Sequence, residues 1–184
     1  MHNNLLSYFF FINKYEEEHI RNLDKKIAII YRNYSVPNNK KTIIEIQKAC
    51  KKSGRKFYLS NNLKLALNLN LDGVYLPSFN KNLNTVQINT RKNFNIIGSA
   101  HSVNELRIKE KQGTNLIFIS PIFKTKKNKK FLNPIKFNYL VSKTSVKIIA
   151  LGGITSKNLN KLKMTQIIGF AGISYFKNLE KIKA

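Results

Sequence analysis

Three sets of residues in this chain have the types and spacing to work on a small anionic ligand. The first is an imidazole. His101 closes the run Gly98-Ser99-Ala100-His101-Ser102, while His2 is terminal and His19 lies in a helix-like stretch. A histidine in that position can take or give a proton near neutral pH, or serve as a hydrogen-bonding cap. The second is a set of glycines in Ala150-Leu151-Gly152-Gly153-Ile154-Thr155 and Gly169-Phe170-Ala171-Gly172-Ile173-Ser174. Glycines let backbone N–H groups approach an anion, although tight turns alone need the same residue. The third is cationic: the segment from Lys124 to Lys130 holds five lysines in seven residues. It can steer a di- or triphosphate, or be a solvated loop.

Carboxylates are scarce. The two aspartates are Asp24 and Asp72, and the glutamates fall in helix-like stretches. Magnesium, a hard cation, normally takes at least one carboxylate. None is expected beside the sets above, so no protein-held metal is expected.

These residues need elements to position them, and the chain supplies a rhythm. Eight short apolar runs recur: Tyr8–Ile12, Ile27–Arg32, Lys56–Leu59, Gly73–Leu76, Asn95–Ser99, Asn115–Ile119, Lys147–Ala150 and Ile167–Ile173. Most are continuously apolar, as strands are when both faces of a parallel sheet are covered. Between them lie stretches of helical spacing. Thr42–Lys52 stops at Gly54, and Val103–Gln112 stops at Gly113. Ser156–Met164 opens with a serine cap and sets Leu159 and Leu162 three apart. Leu63–Leu69 and Asn80–Lys92 complete the helical set.

Eight βα units in series predict an α/β fold, a compact (β/α)8 TIM barrel, with residues 1–184 forming a single domain. At 184 residues the loops must be short, since this fold usually takes about 250. A doubly wound open sheet is the alternative, but it would expose two edge strands and no edge-protecting pattern is present. Ligands of such barrels sit at the C-terminal ends of the strands. That rule selects Arg32, Asn61, Asn62, Asn80, His101, Ser102, Thr125, Lys126, Lys129, Gly152, Gly153, Gly172 and Ser174. A phosphate site after strands seven and eight recurs in the fold, which favours phosphate binding by the last two glycine segments.

Composition narrows the function classes. With 42% apolar residues the chain can bury one core. Cys50 is the single cysteine, which excludes an internal disulfide framework and any Cys-rich metal site. The longest apolar stretch near the N-terminus, Tyr8–Ile12, is far short of the roughly 20 residues that span a bilayer. A soluble, cytoplasmic protein without a membrane partner is expected. The net charge of +24 comes mostly from lysine, which is spread along the chain with abundant Asn and Ile. All three have AT-rich codons, so biased composition over solvated faces accounts for the charge as well as a taste for phosphates does. Nucleic-acid binding is motivated by charge alone, without any RNA-binding signature, and is not expected.

At this point the segments resemble the thiamine-phosphate synthase/TenI family, over roughly Ile27 to Phe176. Ser60-Asn61-Asn62-Leu63-Lys64-Leu65-Ala66-Leu67 with Leu71-Asp72-Gly73-Val74-Tyr75-Leu76 is similar to the family's N-D-R-x-D-x-A…A-D-G-V-H-L-G block. Ile97-Gly98-Ser99-Ala100-His101-Ser102 resembles G-x-S-x-H-S, and Ser120-Pro121-Ile122-Phe123-Lys124-Thr125 resembles G-P-x-F-x-T. The two glycine segments are similar to the family's phosphate-binding end.

The resemblance implies a βα barrel that binds thiazole phosphate in thiamine biosynthesis. A synthase would join it to a pyrimidine pyrophosphate, releasing pyrophosphate; a TenI-like tautomerase would move a proton on the thiazole with the histidine of the H-S pair, matched by His101 and Ser102. Arg32 falls near the pyrophosphate, while the family's Gln and Lys partners are Ile30 and Tyr34 here. The family's two magnesium-binding aspartates fall on Asn61 and Asn80. Any magnesium is therefore expected to arrive on a pyrophosphate substrate. A degenerate barrel that binds a thiamine precursor without turnover is the non-enzymatic alternative.

Overall fold

The computed structural model describes residues 7–36, 39–84, 91–126 and 129–183, with side chains described up to residue 178. Strand order follows chain order: β1 (Ser7–Ile12), β2 (Ile27–Tyr31), β3 (Phe57–Ser60), β4 (Gly73–Leu76), β5 (Asn95–Ala100), β6 (Leu116–Ile119), β7 (Lys147–Leu151) and β8 (Gly169–Gly172). Every neighbouring pair is parallel, and β1 also pairs with β8, so the sheet closes into a barrel. Closure removes both edges and overturns the open-sheet alternative.

Alternation along each strand builds two cores. Phe9, Phe11, Ile30, Tyr58, Tyr75, Ile97, Phe118 and Ile149 fill the barrel interior. Phe9 pairs in register with Ala28 on one side and Ala171 on the other, so small residues leave room for its ring. That ring meets Phe118 at 5.0 Å between centroids. Phe10, Ile29, Phe57, Val74, Ile117 and Ile148 face outward against the helices.

The helices are α1 (Glu17–Asn22), α2 (Lys40–Lys52), α3 (Leu63–Asn68), α4 (Val103–Lys111), α5 (Asn133–Val141) and α6 (Ser174–Lys183). Gly54 and Gly113 have φ of +64° and +70° past the ends of α2 and α4, as their sequence positions predict. Two expected helices differ. Residues 80–84 and 91–92 are not helical, and the rest of Asn80–Lys92 lies outside the described residues. In place of Ser156–Met164 there is a 3₁₀ helix, Leu159–Met164, preceded by Asn158 rather than capped by Ser156. Asn158 turns back instead: its Oδ1 accepts from Thr155 N at 2.8 Å and its Nδ2 donates to Gly153 O at 2.8 Å. That local bonding competes with a full α-helical turn.

At the opposite end of the barrel, buried Arg55 donates to the carbonyls of Leu23, Asp24 and Ile27 and to Ser53 Oγ. It ties the connection between α1 and β2 to the end of α2. Among the described residues, no helix is long and apolar enough to cross a membrane.

Candidate functional site at the C-terminal mouth

The backbone places the polar residues selected above at one end of the barrel, just past their strands. His101 follows β5, and its Nδ1 lies 2.7 Å from Ser120 O at the end of β6. A carbonyl only accepts, so Nδ1 carries the proton and donates it. In the neutral imidazole Nε2 is then the nitrogen with the lone pair that a general base uses. Glu105 Oε2 accepts from His101 N at 2.6 Å, while Ser102 Oγ caps α4 by accepting from Glu105 N at 3.3 Å. The start of α4 therefore fixes the backbone from which the imidazole projects.

Across the mouth, Asn61 (φ +60°) and Asn80 follow β3 and β4. Asn80 Nδ2 donates to Asn61 Oδ1 at 2.7 Å. Asn80 Oδ1 itself accepts from Asn82 N at 2.9 Å and from Gln112 Nε2 at 3.3 Å. Both side-chain oxygens at the positions implied for magnesium thus already accept N–H groups. A cation needs those lone pairs, so these residues do not fit one. Among the described residues, no group of three or more His, Cys, Asp or Glu side chains is placed to hold a metal. Asn62 Oδ1 caps α3 by accepting from Leu65 N at 2.9 Å.

A cavity of about 440 Å³ opens beside β1 and β2, bordered among others by Lys14, Glu16, His19, Arg32, Tyr34 and Lys177. The Arg32 guanidinium stands 4.9 Å above the Phe11 ring, which holds its charge at the cavity wall. A smaller hollow of about 140 Å³ shares Asn33 and Tyr34 with it and extends to Ser60, Asn61 and Asn62. Tyr34 Oη and Ser60 Oγ are 3.2 Å apart, and the Tyr34 ring meets Phe79 edge-on at 5.6 Å.

The glycines after β7 are closely approached by the loop after β6. Gly152 and Gly153 have φ of +97° and +69°. A Cβ on Gly153 would lie 2.4 Å from Lys124 O, and one on Gly152 would lie 2.8 Å from Pro121 Cβ. Phe123 N donates to Gly152 O at 3.1 Å. These two glycines seat the loop after β6, and so the Ser120 carbonyl that orients His101. A Cβ on Gly172 would make only ordinary van der Waals contact, with Tyr175 Cβ at 3.5 Å, and Ser174 begins α6. In the β6 loop Thr125 is half-buried and Lys126 and Lys129 are exposed; Lys127 and Asn128 lie outside the described residues.

Sequence reasoning missed two groups. Lys14, His19 and Lys177 border the larger cavity although they sit outside the strand ends that the barrel rule selects. Lys109 and Gln112 are buried under the β4 loop. The available signal was Lys109 lying three residues after buried Leu106, on the apolar face of α4.

Residues 19–176 match the family described as thiamine monophosphate synthase. The chain is 33% identical over 165 residues to a thiamine-phosphate synthase of Prochlorococcus marinus, covering 85% of this chain and 46% of that protein. It is 29% identical over 162 residues to one from Pelotomaculum thermopropionicum, covering 85% of this chain and 74% of that protein. Its fold overlays thiamine phosphate pyrophosphorylase from Pyrococcus furiosus with a TM-score of 0.74 at 23% identity, over 98% of this chain and 96% of that one. A closed parallel barrel with polar and basic side chains at its C-terminal mouth is the class that fold and site define. Within it, this chain belongs to the thiamine monophosphate synthase/TenI family. It spans just under half the length of the Prochlorococcus relative.

Proposed function

We propose that this chain binds a thiazole phosphate in thiamine biosynthesis or salvage and moves a proton on its ring, as a tautomerase. The observation that carries the reading is the His101 hydrogen bond to Ser120 O at 2.7 Å, which leaves Nε2 as a base facing away from that carbonyl. Proton transfer on a held ring needs one positioned base and an anchor for the phosphate, and no bridging cation. Backbone N–H groups at Gly172 and the start of α6 supply the anchor in this reading, and Arg32 with Lys126 and Lys129 supply positive charge for any further anion.

A second reading, a divergent synthase, is supported by the synthase relative at 33% identity. There Arg32 and the lysines hold the leaving pyrophosphate, and any magnesium enters with the pyrimidine substrate. The test is proton exchange into thiazole phosphate from deuterated water, followed by NMR, beside a thiamine phosphate assay with both substrates and Mg²⁺. Exchange that disappears in His101→Ala, with phosphate binding kept, is expected. Exchange persisting in that variant overturns the tautomerase reading. Thiamine phosphate above a His101→Ala control establishes the synthase. Saturable binding without product or exchange would leave a non-catalytic binder.

A further inference from the structure

The amide pair at the mouth is held from behind by the protein. After β4 the chain runs on without a helix over residues 80–84, so its carbonyls lack the partners a helix would give them. Lys109 of α4 and Gln112, just past its end, reach under it. Lys109 Nζ donates to Pro77 O at 2.7 Å, to Asn80 O at 2.7 Å and to Gln112 Oε1 at 2.8 Å, which uses all three ammonium protons. Gln112 Nε2 donates to Asn82 O at 2.8 Å and to Asn80 O at 3.1 Å, besides Asn80 Oδ1. The Lys109 stem runs along β5 where Gly98 has no side chain; a Cβ there would lie 2.8 Å from Lys109 Cδ.

This arrangement dictates which way the amides face. With Asn80 Oδ1 turned toward Gln112 and Asn82 N, Asn80 Nδ2 must turn toward Asn61. Asn61 Oδ1 accepts it, and the exposed Asn61 side chain then offers its NH2 group, which donates to no described residue.

We infer that Lys109 and Gln112 are positioning residues that fix Asn80 and, through it, Asn61, so that the pair presents N–H donors to a phosphate or pyrophosphate oxygen directly, without a bridging cation. The polarity of the two positions is thereby inverted: two carboxylates would offer acceptors and require a cation, whereas this pair offers a donor and requires none. The inference concerns the pair itself and stands apart from the thiazole reading.

The experiment uses inorganic pyrophosphate and the side-chain amide signals of the full chain by NMR. In wild type with EDTA, pyrophosphate is expected to shift the Asn61 NH2 signal. In Gln112→Leu, which leaves Lys109 in place, the Asn61 and Asn80 NH2 signals are expected to move although Gln112 does not touch Asn61, and the pyrophosphate shift at Asn61 is lost. In the double variant Asn61→Asp, Asn80→Asp, binding of pyrophosphate becomes dependent on Mg²⁺. The inference is overturned if saturating pyrophosphate leaves Asn61 unmoved in EDTA, or if folded Gln112→Leu keeps the wild-type Asn61 signal. Because the probe contains no thiamine precursor, neither result depends on whether the chain turns one over.

Discussion

Replacing Gly153 by Ala tests how the mouth is assembled. The residue has φ +69°, and an added Cβ would meet Lys124 O at 2.4 Å, Phe123 O at 2.5 Å and Phe123 C at 2.7 Å. Two costs follow. Holding an L-residue in the left-handed region costs about 1–2 kcal/mol. Displacing a neighbouring backbone segment to relieve the overlap costs about 1–3 kcal/mol more, because a main chain cannot step aside as a side-chain tip can. Together they give about 2–5 kcal/mol, or a fall in Tm of about 4–20 °C for a chain of this size. Gly113→Ala is the control: its φ is +70° and nothing lies within 4 Å of the added Cβ. It bears the first cost alone, so its Tm should fall by only about 2–8 °C. Thermal and urea unfolding of both variants give the difference. Equal losses would refute the reasoning, since the seating of the β6 loop on Gly153 would then contribute nothing. Turnover should fall further than stability in Gly153→Ala at temperatures where it stays folded, because the loop it displaces carries the carbonyl that orients His101.

Gly172→Ala should unfold like wild type, since an added Cβ meets nothing closer than 3.5 Å, but bind inorganic phosphate more weakly by calorimetry; unchanged binding would remove Gly172 from the anchor. Arg55→Met, which removes a donor from each of three backbone carbonyls, should cost about 3 kcal/mol in urea unfolding; a loss under about 1 kcal/mol would contradict that role. Burial pulls the Lys109 ammonium down from 10.5 to about 8, with Glu105 opposing the shift. Its native value lies below its unfolded value, so between those pH values the unfolded chain holds a proton that the folded one has released. Stability from this group therefore rises with pH across that window and is flat below it. Urea midpoints should show wild type gaining on Lys109→Met between about pH 8 and about pH 10, and parallel curves would contradict the assignment.

The barrel was legible because a strand covered on both faces needs little more than an apolar run. Ile27-Ala28-Ile29-Ile30 and Leu116-Ile117-Phe118-Ile119 carry that signal without interruption, and Phe9, Phe10 and Phe11 divide between the two cores as alternation requires. The strand-end rule then brought Arg32, Asn61, Asn80 and His101 to one mouth. Helices were read less well where polar side chains bond locally: Asn158 ties itself to Thr155 and Gly153, and a pattern of Leu159 and Leu162 cannot reveal that. Lys109 was hidden for a different reason. Its residue type assigns lysine to solvent, whereas this ammonium finds its oxygens on Pro77 and Asn80, about thirty positions away. Gly152 and Gly153 were correctly placed at the mouth, yet what approaches them closely is the Pro121–Lys124 backbone, a proximity that only the closed barrel creates.

The exchange of two acidic positions for Asn61 and Asn80 has an electrostatic logic beyond loss. Two carboxylates about 4 Å apart repel by about 4 kcal/mol at the effective dielectric of a protein surface, so such a pair stays together only with a cation between or a shared proton. An amide pair at 2.7 Å is self-complementary and carries no charge. With no carboxylate at these two positions, and with Arg32, Lys14 and Lys177 outnumbering the single carboxylate of Glu16 around the adjoining cavity, the local charge is net positive and its field supports the proposal of anion binding without a metal. That field suits a phosphate ester that must be held while a proton moves. It suits the departure of pyrophosphate less well, because lysines exposed on a loop are screened by solvent and salt, whereas a bridging cation is not. The same residues that weaken a synthase mechanism leave the requirements of the proposed His101 chemistry intact, which is what supports proton transfer over displacement as the proposed reaction.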